Sequence, residues 1–568
     1  MKLLGRSLNP SYFIFWFLLF WGFLNVISAY YTGLANDEAY YWVFSKHLDW
    51  GYLDHPPAVA VLIWLGQLFF DNNLGVRFFN ILLNIGSLYL LWEMCKSYKR
   101  DLLLFIFLYA GIITFHVYSF VIVPDAPLLA ACVLYFWVLK KYLERDSIYN
   151  SLLLVLAISF MIYSKYHSFL ILFFTILALP KLLLKKSFWM ICLGSALLFL
   201  PHIIWEFKND WPSYQYHFLG RGNLAYQIKF TTNYFLGLLL ITGPLLGFIL
   251  WYAFFKTRIE NKWERVLKVN VLGFALFFFL ASFRSKIEPN WNSPLLIPLF
   301  IISYKYLVHQ QRLKNWAVII GGVSLGLALF LRIYVANEFL YSKLSFPISL
   351  KNEFHYWEKW ASEIKNISAG KHVVFINTYQ QASKYNYYAR EPSHSYNSVY
   401  YRKNQYDLWD TERDLQGKEV VVFTKLPRDD FQLTTTSLGD FYFKEFMNYR
   451  SYGKVEIGLS DMDLEMSPGE KKLLSVALKN QFQFPVTFRE SLKLTSIVIS
   501  VFQHKKLINQ QEFPMNKLSE PLLPGESLEE QLLFEALNEP GDYYLFISLK
   551  TGSLDPGINS RKIELRIN

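Results

Sequence analysis

The sequence predicts a polytopic α-helical membrane protein with a soluble C-terminal region rich in β-strands. Hydrophobic residues make up 53% of the 568 residues and aromatic residues 19%, more than one ordinary soluble domain carries. Apolar runs long enough to cross about 30 Å of hydrocarbon recur along the first three-fifths of the chain. Beyond them, short alternating segments separated by Gly, Pro and polar residues are typical of a β-sandwich.

The apolar runs predict about eleven transmembrane spans. The run 150–184 is interrupted by the polar stretch YSKYHS and is therefore counted as two. The first run lacks a convincing cleavage site after it, which favours a retained anchor over a signal peptide. The runs lie at 11–29, 74–94, 102–121, 125–143, 150–184, 188–205, 228–254, 266–282, 292–308 and 316–335.

The segment 56–70 decides the sidedness of every later loop. It is short for a span and opens with two prolines, so we interpret it as a helix lying in the membrane interface. Leaving it out places the basic loops KSYKR, KKYLER, KLLLKK, FKTRIENKWER and HQQRLK on the side of Lys2 and Arg6. The positive-inside rule then predicts a bacterial inner-membrane protein with a cytoplasmic N-terminus and extracytoplasmic C-terminal domains.

Charge and cysteine content exclude other classes. The formal net charge of +11 comes without a basic arm or an RNA-binding motif, so we predict no nucleic-acid partner. The three cysteines, Cys95, Cys132 and Cys192, lie within or at the end of apolar runs and show no CxxC spacing. We therefore expect no disulfides.

The C-terminal third divides into two predicted domains. After the membrane domain, 1–335, an amphipathic stretch and two apolar strands around a Tyr-rich loop predict an α/β domain over 336–452. The alternating segments that follow predict an immunoglobulin-like β-sandwich over 453–568.

Acidic and histidine side chains gather in loops on the extracytoplasmic side. Asp37, Glu38, Asp49, Asp54 and His55 occur within nineteen residues directly after the first span. The same side receives VPDAPLL, YSKYHS, WEFKNDWPSYQYHFLGRG and FRSKIEPNWNSP. These segments are either ordinary polar loop ends or the walls of a functional cleft, and the acids flanked by prolines and aromatic residues favour the cleft.

In this order, the motifs NDEAYYW, LDWGYLDHPP, VPDAPLL, YSKYHSF, IIWEFKNDWPSYQYHF and KIEPNWNSPLLIPL resemble one family. It is the bacterial branch of the dolichyl-phosphate-mannose protein mannosyltransferases (glycosyltransferase family 39, GT-C superfamily), related to the lipid A aminoarabinose transferases. The resemblance covers roughly residues 10–335 and implies transfer of a sugar from a polyprenyl-phosphate carrier to an extracytoplasmic acceptor.

The resemblance implies that Asp37 and Glu38 carry the catalytic signature. A glycosyl phosphate already has a good leaving group, so transfer mainly requires one base for the acceptor hydroxyl. We predict Asp37 as that base. Glu38 points about 100° away if the stretch is helical, and we expect it to position the acceptor or a metal ion.

The leaving phosphate requires positive charge near the interface. The candidates are His55, Lys165, Arg284 and Lys286; the alternative for Lys165 is snorkelling, and for the other two basic residues an ordinary boundary charge.

The aminoarabinose branch usually has Glu-Lys-Pro where this chain has DHPP. A neutral His55 cannot replace the fixed cation of a lysine, so either Lys165 takes over or Asp54 and His55 hold a divalent ion. A metal ion is the one cofactor the sequence suggests, with His167, His217 and Glu288 as further candidate ligands.

Asp125 lies between two prolines and is either a helix cap or, as the resemblance implies, a second acid facing the cleft. Asn290 and Trp291 are candidates for lining the sugar pocket, although an interfacial Trp commonly serves as an anchor.

Two other functions compete with the transferase. A transporter or flippase of lipid-linked substrates would place ionisable groups near the bilayer midplane, whereas these acids lie in loops on one side. An inactive assembly scaffold would use the sandwich for binding. The predicted partners are the lipid-linked donor, an extracytoplasmic acceptor (a protein hydroxyl, a lipid or a surface glycan) and the bilayer.

Overall fold

The computed structural model describes residues 2–3, 6–7, 10–219, 226–344, 353–459, 463–488, 495–515 and 521–568. The chain forms two compact units, Met1–His355 and Tyr356–Asn568. Unit 1 is helical apart from a short strand pair, and unit 2 contains most of the strands. The final residues of the predicted loop 205–222 lie outside the described residues.

Every predicted span of unit 1 contains a helix. The helices are α1 (Pro10–Tyr31), α2 (Asn36–Lys46), α3 (Ala58–Gln67), α4 (Asn73–Lys96), α5 (Leu102–Gly111), α6 (Ile113–Phe120), α7 (Asp125–Glu144), α8 (Ile148–Ser164), α9 (Ser168–Ala178), α10 (Lys186–Lys208), α11 (Pro212–Tyr214), α12 (Ile228–Thr242), α13 (Leu246–Lys256), α14 (Lys262–Ala281), α15 (Leu296–Leu307), α16 (Gln311–Ala336) and α17 (Glu338–Lys343). The strand pair is β1 (Lys2–Leu3) with β2 (Arg6–Ser7).

In the described part of the chain, five helices are each long and apolar enough to cross a membrane. Two bent pairs, α5 with α6 at 77° and α12 with α13 at 92°, raise the number to seven if each pair is one span. The predicted run 150–184 is indeed two helices, α8 and α9. The segment 56–70 forms only the ten-residue helix α3, which agrees with an interfacial helix.

The predicted basic loops contact one another. Lys314 Nζ lies 2.9 Å from Asp101 Oδ2, the Tyr304 hydroxyl donates to the Lys99 carbonyl oxygen at 2.8 Å, and Lys140 Nζ donates to Ser97 Oγ at 3.2 Å. The loops around residues 97–101 and 140–146 and the ends of α15 and α16 therefore lie at one end of the helices. Whether this end is also the side of Lys2 and Arg6, which depends on segment 56–70, stays a prediction.

Unit 2 contains a mixed sheet with helices. Its strand order is β4-β3-β5-β7-β6, with β3 parallel to β4 and β5, and β7 antiparallel to β5 and β6. The strands are β3 (His372–Ile376), β4 (Ser393–Tyr396), β5 (Val420–Thr424), β6 (Gln432–Thr436) and β7 (Gly439–Phe446), and the helices are α18 (Trp357–Ser368) and α19 (Tyr379–Ala389). The Tyr-rich segment expected to be a loop contains α19 and β4, because the Thr378 side chain caps α19 by accepting from the Gln381 amide.

The C-terminal strands form two further sheets, ordered β13-β10-β8 and β12-β11-β14-β15-β9. Alternate side chains of both sheets meet in one buried core, for example Val476, Ile499 and Leu545. The predicted β-sandwich is therefore confirmed. The strands are β8 (Val455–Leu459), β9 (Asp463–Met466), β10 (Lys471–Asn480), β11 (Thr495–Gln503), β12 (Lys506–Pro514), β13 (Ser527–Glu535), β14 (Gly541–Thr551) and β15 (Ile563–Ile567).

Candidate functional site

Asp37 lies in the first turn of α2, directly after the first span. Its side chain is half-buried. The amide groups at a helix N-terminus favour a negatively charged side chain there, so the position stabilises Asp37 as a carboxylate. A partly accessible carboxylate on a fixed helix end has the chemistry of a general base.

Glu38, the neighbour of Asp37, is fully buried in an ion pair with Arg77 of α4. The Arg77 Nη2 atom lies 2.5 Å from Glu38 Oε2, and Nε donates to Oε1 at 2.7 Å. Glu38 also accepts from the amides of Ala35 and Ile122, each at 2.9 Å. Its oxygens therefore hold α2 against α4 and against the segment leading to Asp125, instead of facing an open surface as expected for acceptor or metal binding.

Arg77 was absent from the sequence-based candidates. It also donates to the carbonyl oxygens of Ala29, Thr32 and Gly33, at 3.0, 2.7 and 2.8 Å, and so caps the end of α1. A signal was present, because Arg77 is a charged residue inside the predicted span 74–94, and such residues face the protein interior and carry a specific role.

Asp125 and Lys165 form a second buried ion pair. Lys165 Nζ donates to both carboxylate oxygens of Asp125 at 2.8 Å, and the two side chains are 4% and 5% exposed. Asn290 Nδ2 and Ser293 Oγ also donate to Asp125, at 2.9 and 3.1 Å. Three separate sequence motifs therefore converge here, and the charge of Lys165 is largely neutralised by its partner.

The DHPP turn lies close to α2 and to the segment after α10. Asp54 is buried, and its carbonyl oxygen lies 3.0 Å from His217 Nε2, which consequently carries the proton. The ring of the half-buried His55 lies edge-on to Tyr41, with centroids 5.8 Å apart. The described residues contain no group of three or more His, Cys, Asp or Glu placed to hold a metal ion.

The remaining candidates follow α14. Arg284 and Lys286 are exposed, and Lys286 pairs with Glu288 at 2.9 Å. Trp291 packs against the stacked rings of His167 and Phe278, at centroid distances of 5.7 and 5.9 Å. In the described residues Arg284 has no carboxylate partner within ion-pair distance, so it is the candidate cation whose charge is not offset.

A buried hydrogen-bond cluster that the sequence did not predict lies beside Lys165. The Tyr166 hydroxyl lies 3.0 Å from His202 Nε2, 3.3 Å from Glu206 Oε1 and 2.8 Å from Ser213 Oγ. Burial and the Glu206 carboxylate raise the pKa of Tyr166 well above its ordinary value, so the phenol stays protonated. We call Tyr166, His202, Glu206 and Ser213 the Tyr166 hub.

Comparison with known proteins supports a family and a fold. Residues 54–205 match the family model described as dolichyl-phosphate-mannose-protein mannosyltransferase. The chain is similar to the crystal structure of ArnT from Cupriavidus metallidurans bound to undecaprenyl phosphate, with a TM-score of 0.53 and 11% identity over 77% of this chain and 98% of that chain. For ArnT in the apo state the TM-score is 0.57, with 10% identity over 76% and 98% of the two chains. None of the curated proteins matches. The resemblance predicted from the motifs is thus confirmed: the chain has an ArnT-like fold, and residues 54–205 match the mannosyltransferase family model.

Proposed function

We propose that this protein transfers a sugar from a polyprenyl-phosphate carrier to an extracytoplasmic acceptor. The observation that carries the proposal is the half-buried Asp37 carboxylate, mounted on α2 by the buried Glu38–Arg77 pair. The match of residues 54–205 to a mannosyltransferase family model supports glycosyl transfer. The likeness to ArnT, which was crystallised with undecaprenyl phosphate, supports a polyprenyl carrier.

Asp37 is the proposed base. It takes the proton of the acceptor hydroxyl as the acceptor oxygen forms its bond to the anomeric carbon and the carrier phosphate leaves with the bonding electrons. One base and one phosphate-binding cation are sufficient for this single displacement. Glu38 acts indirectly, by positioning: it accepts a hydrogen bond from the Ile122 amide, which fixes α2 relative to the segment that leads to Asp125.

Arg284 is the proposed phosphate-binding cation. Lys165 is held by Asp125 and Lys286 by Glu288, whereas Arg284 is exposed and has no carboxylate partner among the described residues. Lys165, Asn290 and Ser293 hold Asp125 by hydrogen bonds, and the neighbouring Trp291 is proposed to offer an aromatic face to a sugar ring.

Asp54 and His55, in the DHPP turn, are proposed to contact the donor. A divalent ion, if bound there, would help to neutralise the phosphate. The proposed location is the inner membrane, with the site and unit 2 on the extracytoplasmic side. The acceptor is a hydroxyl of a protein, a lipid or a surface glycan.

Mass spectrometry tests the reaction directly. Glycans, glycolipids and exported proteins from cells with and without this chain are compared, and the mass that disappears identifies the sugar and the acceptor together. The purified protein is then supplied with a polyprenyl-phosphate sugar and that acceptor. Movement of the intact lipid-linked sugar across the membrane without cleavage of the sugar–phosphate bond would instead identify a transporter.

Replacement of Asp37 tests its role. Asp37→Asn keeps the shape of the side chain and removes the base, so turnover should fall about 100-fold or more. Donor binding should remain, since other residues hold the phosphate. The matched control is Asp71→Asn, an exposed carboxylate in the loop between α3 and α4, which should keep full turnover. Near-normal turnover by Asp37→Asn would remove Asp37 from the mechanism.

A further inference from the structure

The Tyr166 hub joins three segments of unit 1. Tyr166 lies in the turn between α8 and α9, His202 and Glu206 in the last turns of α10, and Ser213 in α11. His202 is 1% exposed, and Glu206 and Ser213 are each 4% exposed. A polar cluster buried this deeply is rigid when its hydrogen bonds are complete.

The hub also holds the segment that carries Asp54 and His55. His202 Nδ1 lies 2.7 Å from the Trp50 carbonyl oxygen, and Ser213 Oγ donates to the Tyr52 carbonyl oxygen at 3.0 Å. On its other side, Tyr166 follows Lys165, whose ammonium group pairs with Asp125. Through His202 and Ser213, Tyr166 thus links the segment that leads into the DHPP turn to the Lys165–Asp125 pair.

A count of hydrogens shows that the hub has room for an extra proton. The His202 Nδ1 proton is used on the Trp50 carbonyl and the Ser213 proton on the Tyr52 carbonyl. The Tyr166 proton can then serve only one of its three neighbours. If it serves Ser213 Oγ, one further proton on His202 or Glu206 turns one of the two remaining contacts into a hydrogen bond to the Tyr166 oxygen.

The surroundings favour retention of such a proton. Within the described residues Glu206 has no lysine or arginine at ion-pair distance, and its only basic neighbour is His202, at 3.7 Å. The other titratable groups around the hub are Asp49, bound to the Trp205 indole, Asp54 and His217. A buried carboxylate without a fixed cation is costly to ionise, so protonation relieves it.

We propose that Tyr166 is a positioning residue of the transfer site, and that the hub holds one extra proton shared by His202 and Glu206. The proton adds a hydrogen bond to the Tyr166 oxygen in the cluster that keeps the DHPP turn against the Lys165–Asp125 pair, and its loss at high pH loosens that turn. The effect on transfer rests on the proposed function, whereas the effect on loop position does not.

Two readouts test the proposal in the full-length protein. The first is the distance distribution between spin labels at Leu48 and Phe169, two exposed residues on either side of the hub, in a Cys192→Ser background. The second is kcat/KM for the transfer reaction between about pH 5 and pH 9. Tyr166→Phe should broaden the distances and lower kcat/KM about 10-fold or more, since displacements near 1 Å have such effects.

Glu206→Gln separates positioning from protonation. The Gln amide donates to Tyr166 permanently, so the distances should stay narrow at high pH, where those of the unmodified protein broaden. Tyr163→Phe is the control, because its hydroxyl donates to the Leu198 carbonyl oxygen and meets the backbone, not the side chain, of His202, and its removal should change neither readout.

Each alternative outcome contradicts one part of the proposal. Narrow distances and normal kcat/KM in Tyr166→Phe would exclude a positioning role. A pH response of Glu206→Gln identical to that of the unmodified protein would exclude the extra proton. If the unmodified protein transfers no sugar at all, the proposed function fails, and the spin-label distances still decide whether the hub positions the turn.

Discussion

Glu38 and Asp125 lie inside unit 1, and each meets a single cation, Arg77 and Lys165. Removal of one partner from such a pair leaves an uncompensated charge in a low-dielectric interior, which is far worse than removal of both. The two pairs also connect α2, α4, α7 and the turn after α8. The two ion pairs therefore hold these elements together and also balance buried charge.

Arg77→Met should lower the free energy of unfolding by about 3–5 kcal/mol, because it leaves the buried Glu38 carboxylate without its cation. The double variant Arg77→Met/Glu38→Gln should recover part of that loss. Thermal unfolding in detergent measures both. Equal stability of the single variant and the unmodified protein would show that Glu38 finds another partner or is protonated.

Unit 2 offers a pH test at a single buried acid. Burial raises the pKa of Asp407 to about 7 from an unfolded value of 3.8, so the folded state holds this proton where the unfolded state loses it. Its contribution to stability therefore falls as pH rises from about 4 to 7, by up to about 1.4 kcal/mol per pH unit. Burial lowers the pKa of His394 to about 3 from 6.5, which contributes stability that rises with pH over an overlapping range.

Asp407→Asn should therefore gain stability relative to the unmodified protein as pH rises from 4 to 7. The Asn oxygen can still accept from the Asn404 amide and Asn397 Nδ2, the two bonds that the carboxylate makes at 2.7 Å. Unfolding temperatures of the full-length protein at pH 5 and pH 8 measure the difference. A constant difference between the two proteins would mean that Asp407 is ionised throughout.

At the scale of elements, the bend between α12 and α13 depends on one glycine. Gly243 has φ of +95°, and a Cβ there would lie 3.4 Å from the Leu246 Cβ. Gly243→Ala should lower the free energy of unfolding by about 1–2 kcal/mol, because an L-residue is strained in this conformation. Gly326→Ala in α16 is the control: no atom lies within 4 Å of its added Cβ, and alanine favours a helix. Thermal unfolding should show that Gly243→Ala lowers the stability of the protein and that Gly326→Ala does not.

The sequence analysis did not predict two elements of unit 2 that lack a one-sided apolar pattern, β12 and α19. β12 alternates between exposed and half-buried residues at the edge of its sheet, so no buried stripe marks it. In α19 the aromatic and polar residues intermix, and the run was predicted as a loop. Both elements form because neighbouring strands and caps supply partners that local sequence does not show.

At the scale of the whole molecule, the sandwich is not separable at residue 453. Leu554, in the turn between β14 and β15, lies in the buried core of the mixed sheet, and Arg428 pairs with Asp555. Removal of 453–568 would therefore open that core. The boundary between the compact units, after His355, is the better place for a truncation.

Topology follows from the end of the helices at which each loop lies. Single cysteines at Asp71 and Lys286, at the end with the candidate site, should react with an impermeant thiol reagent from outside the inner membrane. Arg145→Cys and Gln310→Cys, in the basic loops, should be protected. All four positions are exposed. Labelling of Arg145→Cys together with Asp71→Cys would contradict the predicted sidedness.

The sequence by itself determined the membrane class, the helix in each predicted span and the sandwich, because hydrophobic length and period are local properties. The likeness to the ArnT fold was implied by the resemblance that the ordered motifs carry. The sequence also singled out Asp37, Asp54, Asp125, Lys165 and Asn290 as candidates. Only the tertiary structure decided which side chains contact one another. Lys165 neutralises Asp125, Arg77 pairs with Glu38, and Tyr166 joins His202 to Ser213. Partners of buried polar groups come from distant segments, and their pairing is set by how the helices pack.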